Sequence, residues 1–383
     1  MPKFDTIRGR RTAGLGLLFF AFALLVALPA LTSTAEAQNV RPPADAVTSG
    51  GPPSGGPQTV PQEGGQYDPE IWQELRRGLQ GTVSIPDKKA GILVDSSGET
   101  WRALRNGPLP VYGAYALGGM LGLLVLFYLI RGRIRISHGP AGTTIERFTD
   151  FERLGHWLLA TSFIILALTG LNILYGRDVI MPIIGKEAFA SIAATGKWLH
   201  NYVALAFVVG LIMTFITWVS YNFPHPRDLV WFLRGGGIVG GDHPPAKKFN
   251  GGQKILFWLV MLGGFSLVLS GLQLLLPNEF SFFAKTFAFL NNFGFNLPTE
   301  LTANQEQQFA TSWHGIVALF LTVVILAHIY IGSVGMEGAF DAMGSGEVDL
   351  NWAKEHHSLW VEEEMGKSES APSGTSARPT PAE

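Results

Sequence analysis

After residue 105, five long stretches of the chain contain no charged residue, and polar segments that do carry charge separate them. The uncharged stretches span residues 111–130, 157–176, 198–223, 255–277 and 309–336. A helix needs about 20 apolar residues to cross the hydrocarbon core of a bilayer. The pattern therefore predicts an all-α integral membrane protein with five transmembrane helices.

Composition agrees with a membrane protein and limits its chemistry. The chain is 47% hydrophobic and 15% charged, which is more apolar than an ordinary soluble domain. It contains no cysteine, which excludes disulfides, thiolate-bound zinc or iron–sulfur clusters, and covalently attached c-type haem. The formal net charge of -2 gives no indication of nucleic-acid binding. Any redox centre in the chain must therefore be held by His or Met.

The region before the first transmembrane helix divides into three segments. Residues 1–37 carry arginines, an apolar stretch and then Ala35 and Ala37, the order of a secretory signal peptide, with an uncleaved anchor helix as the alternative. Residues 38–66 are rich in Pro and Gly and predict a disordered linker. Residues 67–108 predict a small periplasmic segment with strand-like pieces near residues 90–94, and residues 109–131 hold an extra transmembrane helix.

Basic residues in the connecting segments predict the orientation of the helices, because short cytoplasmic loops collect Lys and Arg. The connections after the first and third helices are the basic ones, with Arg131, Arg133, Arg135, Arg147 and Arg153 in one and Arg227, Arg234, Lys247, Lys248 and Lys254 in the other. This places the N-terminal segment in the periplasm of a bacterium with an inner membrane. Residues 337–383 are then a cytoplasmic tail, expected to be disordered at its end.

The second and third helices are repeated in the fourth and fifth. Residues 168–171 read Leu-Thr-Gly-Leu and residues 269–272 read Leu-Ser-Gly-Leu, while His200 and His314 each precede a Val-Ala-Leu sequence. The copies differ at two positions, where the first has His156 and the second has His328. Each copy therefore contributes two histidines.

These four histidines predict two haem sites at different depths of the membrane. His314 and His328 are fourteen residues apart on one helix, which places them on one face about 21 Å apart. The alternating helix directions bring His200 to the periplasmic depth of His314, and His156 to the cytoplasmic depth of His328. Low-spin haem b takes an imidazole on each face of the iron. The sequence therefore predicts a dihaem four-helix transmembrane bundle, residues 152–336, plus one additional N-terminal transmembrane helix.

A structural explanation of the same histidines stays open. Intramembrane histidines also bind neighbouring Ser residues or carbonyls, and the chain would then be a polytopic membrane scaffold or transporter. Elsewhere, His138 and His243 are expected to be solvated, and His225 is expected to end the third helix. Arg153 is expected either to pair with a haem propionate or simply to follow the positive charge bias.

The motifs around the four histidines resemble those of a known family, the cytochrome b (gamma) subunit of membrane-bound, quinone-linked formate dehydrogenase. Within residues 144–364 the motifs are Arg-Leu-Gly-His-Trp at 153–157, Trp-Leu-His at 198–200, Lys-Phe-Asn-Gly-Gly-Gln-Lys at 248–254, Trp-His-Gly at 313–315, Ala-His-Ile-Tyr at 327–330 and Trp-Ala-Lys-Glu-His-His at 352–357. The resemblance implies two haem b groups, with axial ligands at His156, His200, His314 and His328.

The resemblance also implies a quinone site beside the cytoplasmic haem. The family's loop pattern falls on Asn250, Gly252 and Gln253, whose amide groups suit the carbonyl oxygens of menaquinone or ubiquinone. The alternative is that Asn250 only caps the helix that follows.

The function that the resemblance implies is electron transfer within a larger oxidoreductase complex. An iron–sulfur beta subunit would deliver electrons in the periplasm, and formate would be oxidised on a molybdenum or tungsten alpha subunit. The chain itself would pass electrons through two haems and reduce quinone. The nearest alternative is the cytochrome b subunit of a nickel–iron hydrogenase or of a thiosulfate-type reductase.

Overall fold

The computed structural model describes residues 80–82, 92–95, 97–237, 243–277 and 279–370. The predicted signal peptide, the linker and the end of the tail lie outside these residues. The elements in chain order are β1 (Gln80–Thr82), β2 (Ile92–Asp95), α1 (Ser97–Asn106), α2 (Pro108–Arg131), β3 (Thr144–Glu146), α3 (Asp150–Val179), α4 (Met181–Ile184), α5 (Lys186–Trp218), α6 (Pro226–Leu233), α7 (Gly251–Leu275), α8 (Phe282–Asn291), α9 (Ala303–Tyr330), α10 (Asp341–Gly344), β4 (Glu347–Asp349), α11 (Leu350–His356) and α12 (Ser358–Ser370).

Five helices of the described part are long and apolar enough to cross a membrane. They are α2, α3, α5, α7 and α9, and each carries one of the five predicted stretches. The predicted fold class is therefore confirmed. The helices begin earlier than the uncharged stretches because polar residues start them: the Thr149 hydroxyl accepts a hydrogen bond from the Glu152 amide at 3.3 Å, and Thr302 does the same for Gln305 at 3.2 Å.

Small residues set the close packing inside the bundle of α3, α5, α7 and α9. A methyl group on Gly210 of α5 would lie 2.6 Å from the backbone nitrogen of Leu159 on α3. A methyl group on Gly263 of α7 would lie 3.0 Å from the Leu321 side chain of α9. Membrane helices associate through such close contacts, because lipid tails remove the hydrophobic advantage of packing. These glycines bring the histidine-bearing helices together.

Helix α2 lies outside this bundle and packs on α9. Gly113 lets it approach, since a methyl group there would lie 2.6 Å from the Tyr175 hydroxyl and 2.7 Å from Leu319. The Tyr175 hydroxyl also donates to the Pro110 carbonyl at 2.8 Å. The face of α2 that points away from α9 exposes large apolar side chains such as Leu129. This is the arrangement expected of a peripheral helix that faces lipid.

Strands β1 and β2 form an antiparallel pair of their own, in the region where strand-like pieces were predicted.

A short helix, α8, lies between α7 and α9 at the end of the bundle that carries His314. The buried Glu306 carboxylate accepts hydrogen bonds from the Phe283 amide at 3.0 Å and the Ala284 amide at 2.8 Å. It also accepts one from Gln273 Nε2 at 2.7 Å. One side chain of α9 thus caps α8 and binds α7, as an anion at a helix N-terminus should.

Residues 337–370, here called the C-terminal cap, fold over the opposite end of the bundle. Strand β4 of the cap pairs with β3 in antiparallel register, and a parallel bridge joins Ile134 to Met336. The cap buries Trp352 and Trp360 against Phe148. The first part of the predicted cytoplasmic tail is therefore an ordered part of this end of the molecule.

Buried polar contacts fix the cap in place. The Arg147 guanidinium lies 5.1 to 5.3 Å from the ring centres of Phe148, Trp352 and Trp360, and it donates to the Lys248 carbonyl at 2.7 Å. Burial lowers the pKa of Arg147, and the nearby Glu152 carboxylate opposes that shift. A charge buried in this way needs partners to be tolerated. The aromatic rings and the carbonyl supply them.

Candidate functional site

The first predicted histidine pair, His200 and His314, lies together at the α8 end of the bundle. The two imidazole ring centroids are 6.2 Å apart, with an angle of 62° between the ring planes. His200 is on α5 and His314 is on α9, so the pair joins the two copies of the repeat. Both side chains are partly buried among the helices.

Two hydroxyl groups, one from each copy of the repeat, orient this pair. The Thr169 hydroxyl lies 2.8 Å from His200 Nδ1, and the Ser270 hydroxyl lies 3.0 Å from His314 Nδ1. Each hydroxyl directs its single hydrogen to a carbonyl of its own helix, Ile165 at 2.8 Å and Ser266 at 2.9 Å respectively. The oxygen must then accept from Nδ1–H. This fixes the tautomer in which Nε2 keeps its lone pair.

The glycines that follow these two residues make room for the imidazoles. A methyl group on Gly170 would lie 3.6 Å from His200 Cε1, and one on Gly271 would lie 3.4 Å from His314 Cε1. The repeated Thr-Gly and Ser-Gly sequences therefore supply a hydrogen-bond acceptor and an open surface at the same ring edge. The sequence analysis noted that these two sequences are repeated but assigned them no role toward the histidines. Their repetition was the signal that could have indicated one.

The second predicted pair, His156 and His328, lies together at the capped end of the bundle. Its ring centroids are also 6.2 Å apart, with an angle of 68° between the planes. The rings of Trp157 and Trp218 lie 5.3 and 6.3 Å from the His156 ring. Among the described residues, the buried His156 Nδ1 has no hydrogen-bond partner. The two pairs therefore differ in the partners of their imidazoles.

Both pairs fit a metal held between two imidazoles. An imidazole nitrogen lies about 2.0–2.1 Å from a first-row metal such as zinc, and the ring centre lies about 1.1 Å further, so two imidazoles on opposite sides have centroids about 6.3 Å apart. The measured 6.2 Å in both pairs matches this separation. The donor set, two neutral nitrogens without a thiolate, suits haem iron.

The loop that begins α7 is a capping box. Asn250 Oδ1 accepts from the Gln253 amide at 3.0 Å, and Gln253 Oε1 accepts from the Asn250 amide at 3.0 Å. The capping role weighed for Asn250 from the sequence is therefore present. The capping box uses only the side-chain oxygens of Asn250 and Gln253, so the NH₂ groups of these two side chains take no part in it. Gly252 lies between them, against the ring of Trp231.

A cleft of about 740 Å³ opens beside this loop, between the bundle and the C-terminal cap. Its lining includes Asn250, Lys254 and Glu152, of which Glu152 is bound by Lys248 Nζ at 2.6 Å. An apolar groove of about 530 Å³ runs along α7 and α9 and shares Gly251 and Lys254 with the cleft. The groove is lined mainly by apolar residues, among them Trp258, Leu262, Trp313, Val317 and Phe320. A polar chamber thus continues into an apolar channel.

The other predicted residues have clear places in the structure. His225 caps α6, since its Nδ1 accepts from the Arg227 amide at 3.2 Å, and α5 ends a few residues earlier at Trp218. His138 is exposed, as expected. The expectation that His243 is solvated is wrong, because the cap folds back and brings His356 against it, with ring centroids 4.3 Å apart.

The Arg153 guanidinium has hydrogen-bond partners within the protein. Its guanidinium donates to the carbonyls of Met343 and Gly344 and to the Asp150 carboxylate. These partners lie in the cap and at the start of α3. Arg153 therefore joins the cap to the bundle.

Comparison with known proteins places the site in a family. The family model described as prokaryotic cytochrome b561 matches residues 147–346, which contain all four histidines and the Asn250 loop. The chain belongs to the prokaryotic cytochrome b561 family. It is therefore a membrane cytochrome b. Its family and its five apolar helices indicate a multi-pass protein of the bacterial inner membrane.

Individual relatives of this cytochrome b are subunits of formate dehydrogenases. It is 30% identical over 222 residues to the formate dehydrogenase cytochrome b556(fdo) subunit of Escherichia coli K12, covering 57% of this chain and 93% of the relative. It is 27% identical to the nitrate-inducible cytochrome b556(Fdn) subunit of the same strain, covering 57% and 91%. It is 25% identical over 240 residues to the cytochrome b556 subunit of Haemophilus influenzae, covering 61% and 87%. The resemblance stated from the motifs is confirmed.

Proposed function

We propose that this chain is the membrane cytochrome b subunit of a quinone-linked formate dehydrogenase. In this proposal it accepts electrons from an iron–sulfur subunit in the periplasm, carries them across the membrane on two haem b groups, and reduces quinone near the cytoplasmic face. The catalytic subunit that oxidises formate would contain molybdenum or tungsten. The identity of these relatives as formate dehydrogenase subunits supports the assignment to formate dehydrogenase rather than to a hydrogenase or a thiosulfate-type reductase.

One observation carries the proposal: two histidine pairs, one toward each end of the bundle, each have ring centroids 6.2 Å apart. A haem iron with two imidazole ligands changes between its ferric and ferrous states and so carries one electron at a time. The helices hold the imidazoles at that separation. Since α9 supplies His314 and His328, a single rigid helix sets the distance between the two sites.

The cleft and the groove beside Asn250 suit a quinone. In the proposal, the NH₂ group of Asn250, which lines the cleft, donates a hydrogen bond to a quinone carbonyl, while the side-chain oxygens of Asn250 and Gln253 keep the helix cap. Gly252 and Gln253 line neither cavity and support the loop that holds Asn250. The apolar groove accommodates the isoprenoid tail. Quinone reduction also takes up protons, and the polar cleft beside Lys254 connects the loop to the side predicted to be cytoplasmic.

The proposed orientation makes the reaction conserve energy. Basic residues crowd the capped end, which by the positive-inside bias faces the cytoplasm. An electron that crosses inward then works against a potential that is negative inside, at about 2.3 kcal/mol per 100 mV. The potential difference between formate and quinone would be stored in this way as a proton-motive force.

The proposal is tested by counting haem in purified protein. Wild-type protein is expected to hold two haem b groups per chain, and His200→Ala or His314→Ala to lose one of them. His156→Ala or His328→Ala is expected to lose the other, and each of the four variants should fail to reduce quinone. Mass spectrometry of the intact complex should identify the iron–sulfur and catalytic subunits. A colourless wild-type protein, or variants that all retain both haem signals in a redox titration, would overturn the proposal.

A further inference from the structure

A cluster of metal-ligating side chains lies outside the histidine pairs, where the C-terminal cap meets the segment before α7. It consists of His243, Glu355 and His356, and one ligand atom of each lies within 4.8 Å of the others. His243 Nε2 is 2.9 Å from Glu355 Oε1. The imidazole rings of His243 and His356 meet edge to face, with centroids 4.3 Å apart.

The three side chains are shielded from solvent. The side chains of His243 and Glu355 are 13% and 12% exposed, and His356 is buried. Two imidazoles and one carboxylate that converge at a partly buried point are the ligands of a divalent transition metal.

The carboxylate is already oriented by its neighbours. Glu355 Oε2 accepts from the Ser137 amide at 2.9 Å, and Glu355 Oε1 accepts from the Ser137 hydroxyl at 3.0 Å. Metal-ligating carboxylates are typically held by such outer hydrogen bonds. Nearby contacts hold the two segments together independently: His357 Nδ1–H donates to the Lys247 carbonyl at 2.7 Å, and the Trp360 amide donates to the Ala246 carbonyl at 3.3 Å. The cluster is therefore formed before any metal arrives.

We propose that His243, Glu355 and His356 form a binding site for one zinc ion, which fastens the C-terminal cap to the start of the fourth transmembrane segment. Two imidazoles and one carboxylate are a known zinc ligand set that leaves one coordination position to water.

The site is separate from the proposed electron path. None of its three residues belongs to the histidine pairs that are proposed to hold haem. Loss of zinc should therefore leave the absorption spectrum of the membrane cytochrome unchanged. The test of this site does not depend on the proposed function.

The experiment measures zinc in the purified full-length protein, alone or within its complex. The protein is dialysed against a chelator, titrated with zinc chloride, and analysed for bound zinc by plasma mass spectrometry. Wild-type protein is expected to bind one zinc ion, and His243→Ala and His356→Ala are expected to bind it at least roughly tenfold more weakly. Glu355→Gln, which keeps the side-chain volume, should weaken binding in the same direction.

His138→Ala is the matched control. His138 is an exposed histidine that directly follows Ser137, the residue that hydrogen-bonds to Glu355. This control variant should bind zinc as the wild type does. An unchanged haem spectrum shows that each variant is folded. The proposal is overturned if wild-type protein takes up no more zinc than His243→Ala, or if His138→Ala loses as much zinc as the cluster variants.

Discussion

The two histidine pairs are equal in separation but differ in the partners of their ring nitrogens. His200 and His314 each donate to a hydroxyl oxygen, whereas His156 Nδ1 has no partner among the described residues. A hydrogen bond from Nδ1–H increases the basicity of an imidazole ligand and favours the more oxidised metal. In the proposed function, the Thr169 end is then the lower-potential end. Electrons would then pass from the His200/His314 end to the capped end toward the higher potential.

Replacement of Thr169 by Val tests this asymmetry. Val keeps the shape of Thr but removes the acceptor, so the midpoint potential of the His200/His314 haem should rise. A hydrogen bond of about 0.5–1.5 kcal/mol that acts on the oxidised form alone corresponds to roughly 20–60 mV. A redox titration followed by absorption measures both haems. Thr169→Ser, which keeps the hydroxyl, is the control, and equal potentials in the Val variant and the wild type would contradict the assignment.

At the scale of elements, the start of α7 combines a structural and a proposed functional role. Asn250→Asp separates them, because a carboxylate caps a helix as well as an amide does but has no N–H to donate. We expect Asn250→Asp to keep both haems and its thermal stability, and to reduce quinone up to roughly tenfold more slowly, since one lost hydrogen bond is worth about 1 kcal/mol. Quinol formation by the purified complex is the measurement.

Asn250→Ala is the comparison for this variant, since it removes both the cap and the donor. If Asn250→Asp reduces quinone at the wild-type rate while Asn250→Ala is slow, the loop is a helix cap and has no role toward quinone.

Glu306 of α9 binds the N-terminus of α8 and Gln273 of α7, and so holds these three helices together at the His314 end. Glu306→Ala leaves two backbone amides and the Gln273 amide without their acceptor, each at a cost of about 1–3 kcal/mol. The expected result is a lower thermal unfolding midpoint in detergent, followed by loss of the haem band. Glu279→Ala, which removes an exposed carboxylate nearby, should leave the midpoint unchanged. A Glu306→Ala protein as stable as the wild type would show that α8 is held by other contacts.

At the scale of the whole molecule, helix α2 lies outside residues 147–346, the part that matches the family. Helix α2 contacts α9 and Tyr175 but supplies no residue to either histidine pair. A chain that begins at residue 132 should therefore still bind both haems, with a lower unfolding midpoint. Haem content per protein, read from absorption, decides this. A shortened chain without haem would mean that α2 supports the bundle itself.

The sequence predicted the helices and the histidine pairs because both depend on spacing along the chain. Hydrophobic length sets the five helices, and helix direction sets which histidines share a depth. The C-terminal cap could not be predicted in this way, because its contacts join distant positions: Arg147 meets Trp352, and His357 meets Lys247. His243 was placed wrongly for the same reason. Thr169 and Ser270, whose hydroxyls contact the imidazoles, could be recognised in the sequence only as parts of a repeat, with no role assigned to them.

Helix α9 contributes one imidazole to each histidine pair, and it is the last of the five long helices to be made. During synthesis, neither pair can close until this final helix has entered the bilayer beside its partners. In the proposed function, haem can therefore be bound between either pair only after α9 has been made. Under the same proposal, a polypeptide that ends before residue 314 would have neither pair of imidazoles to hold haem.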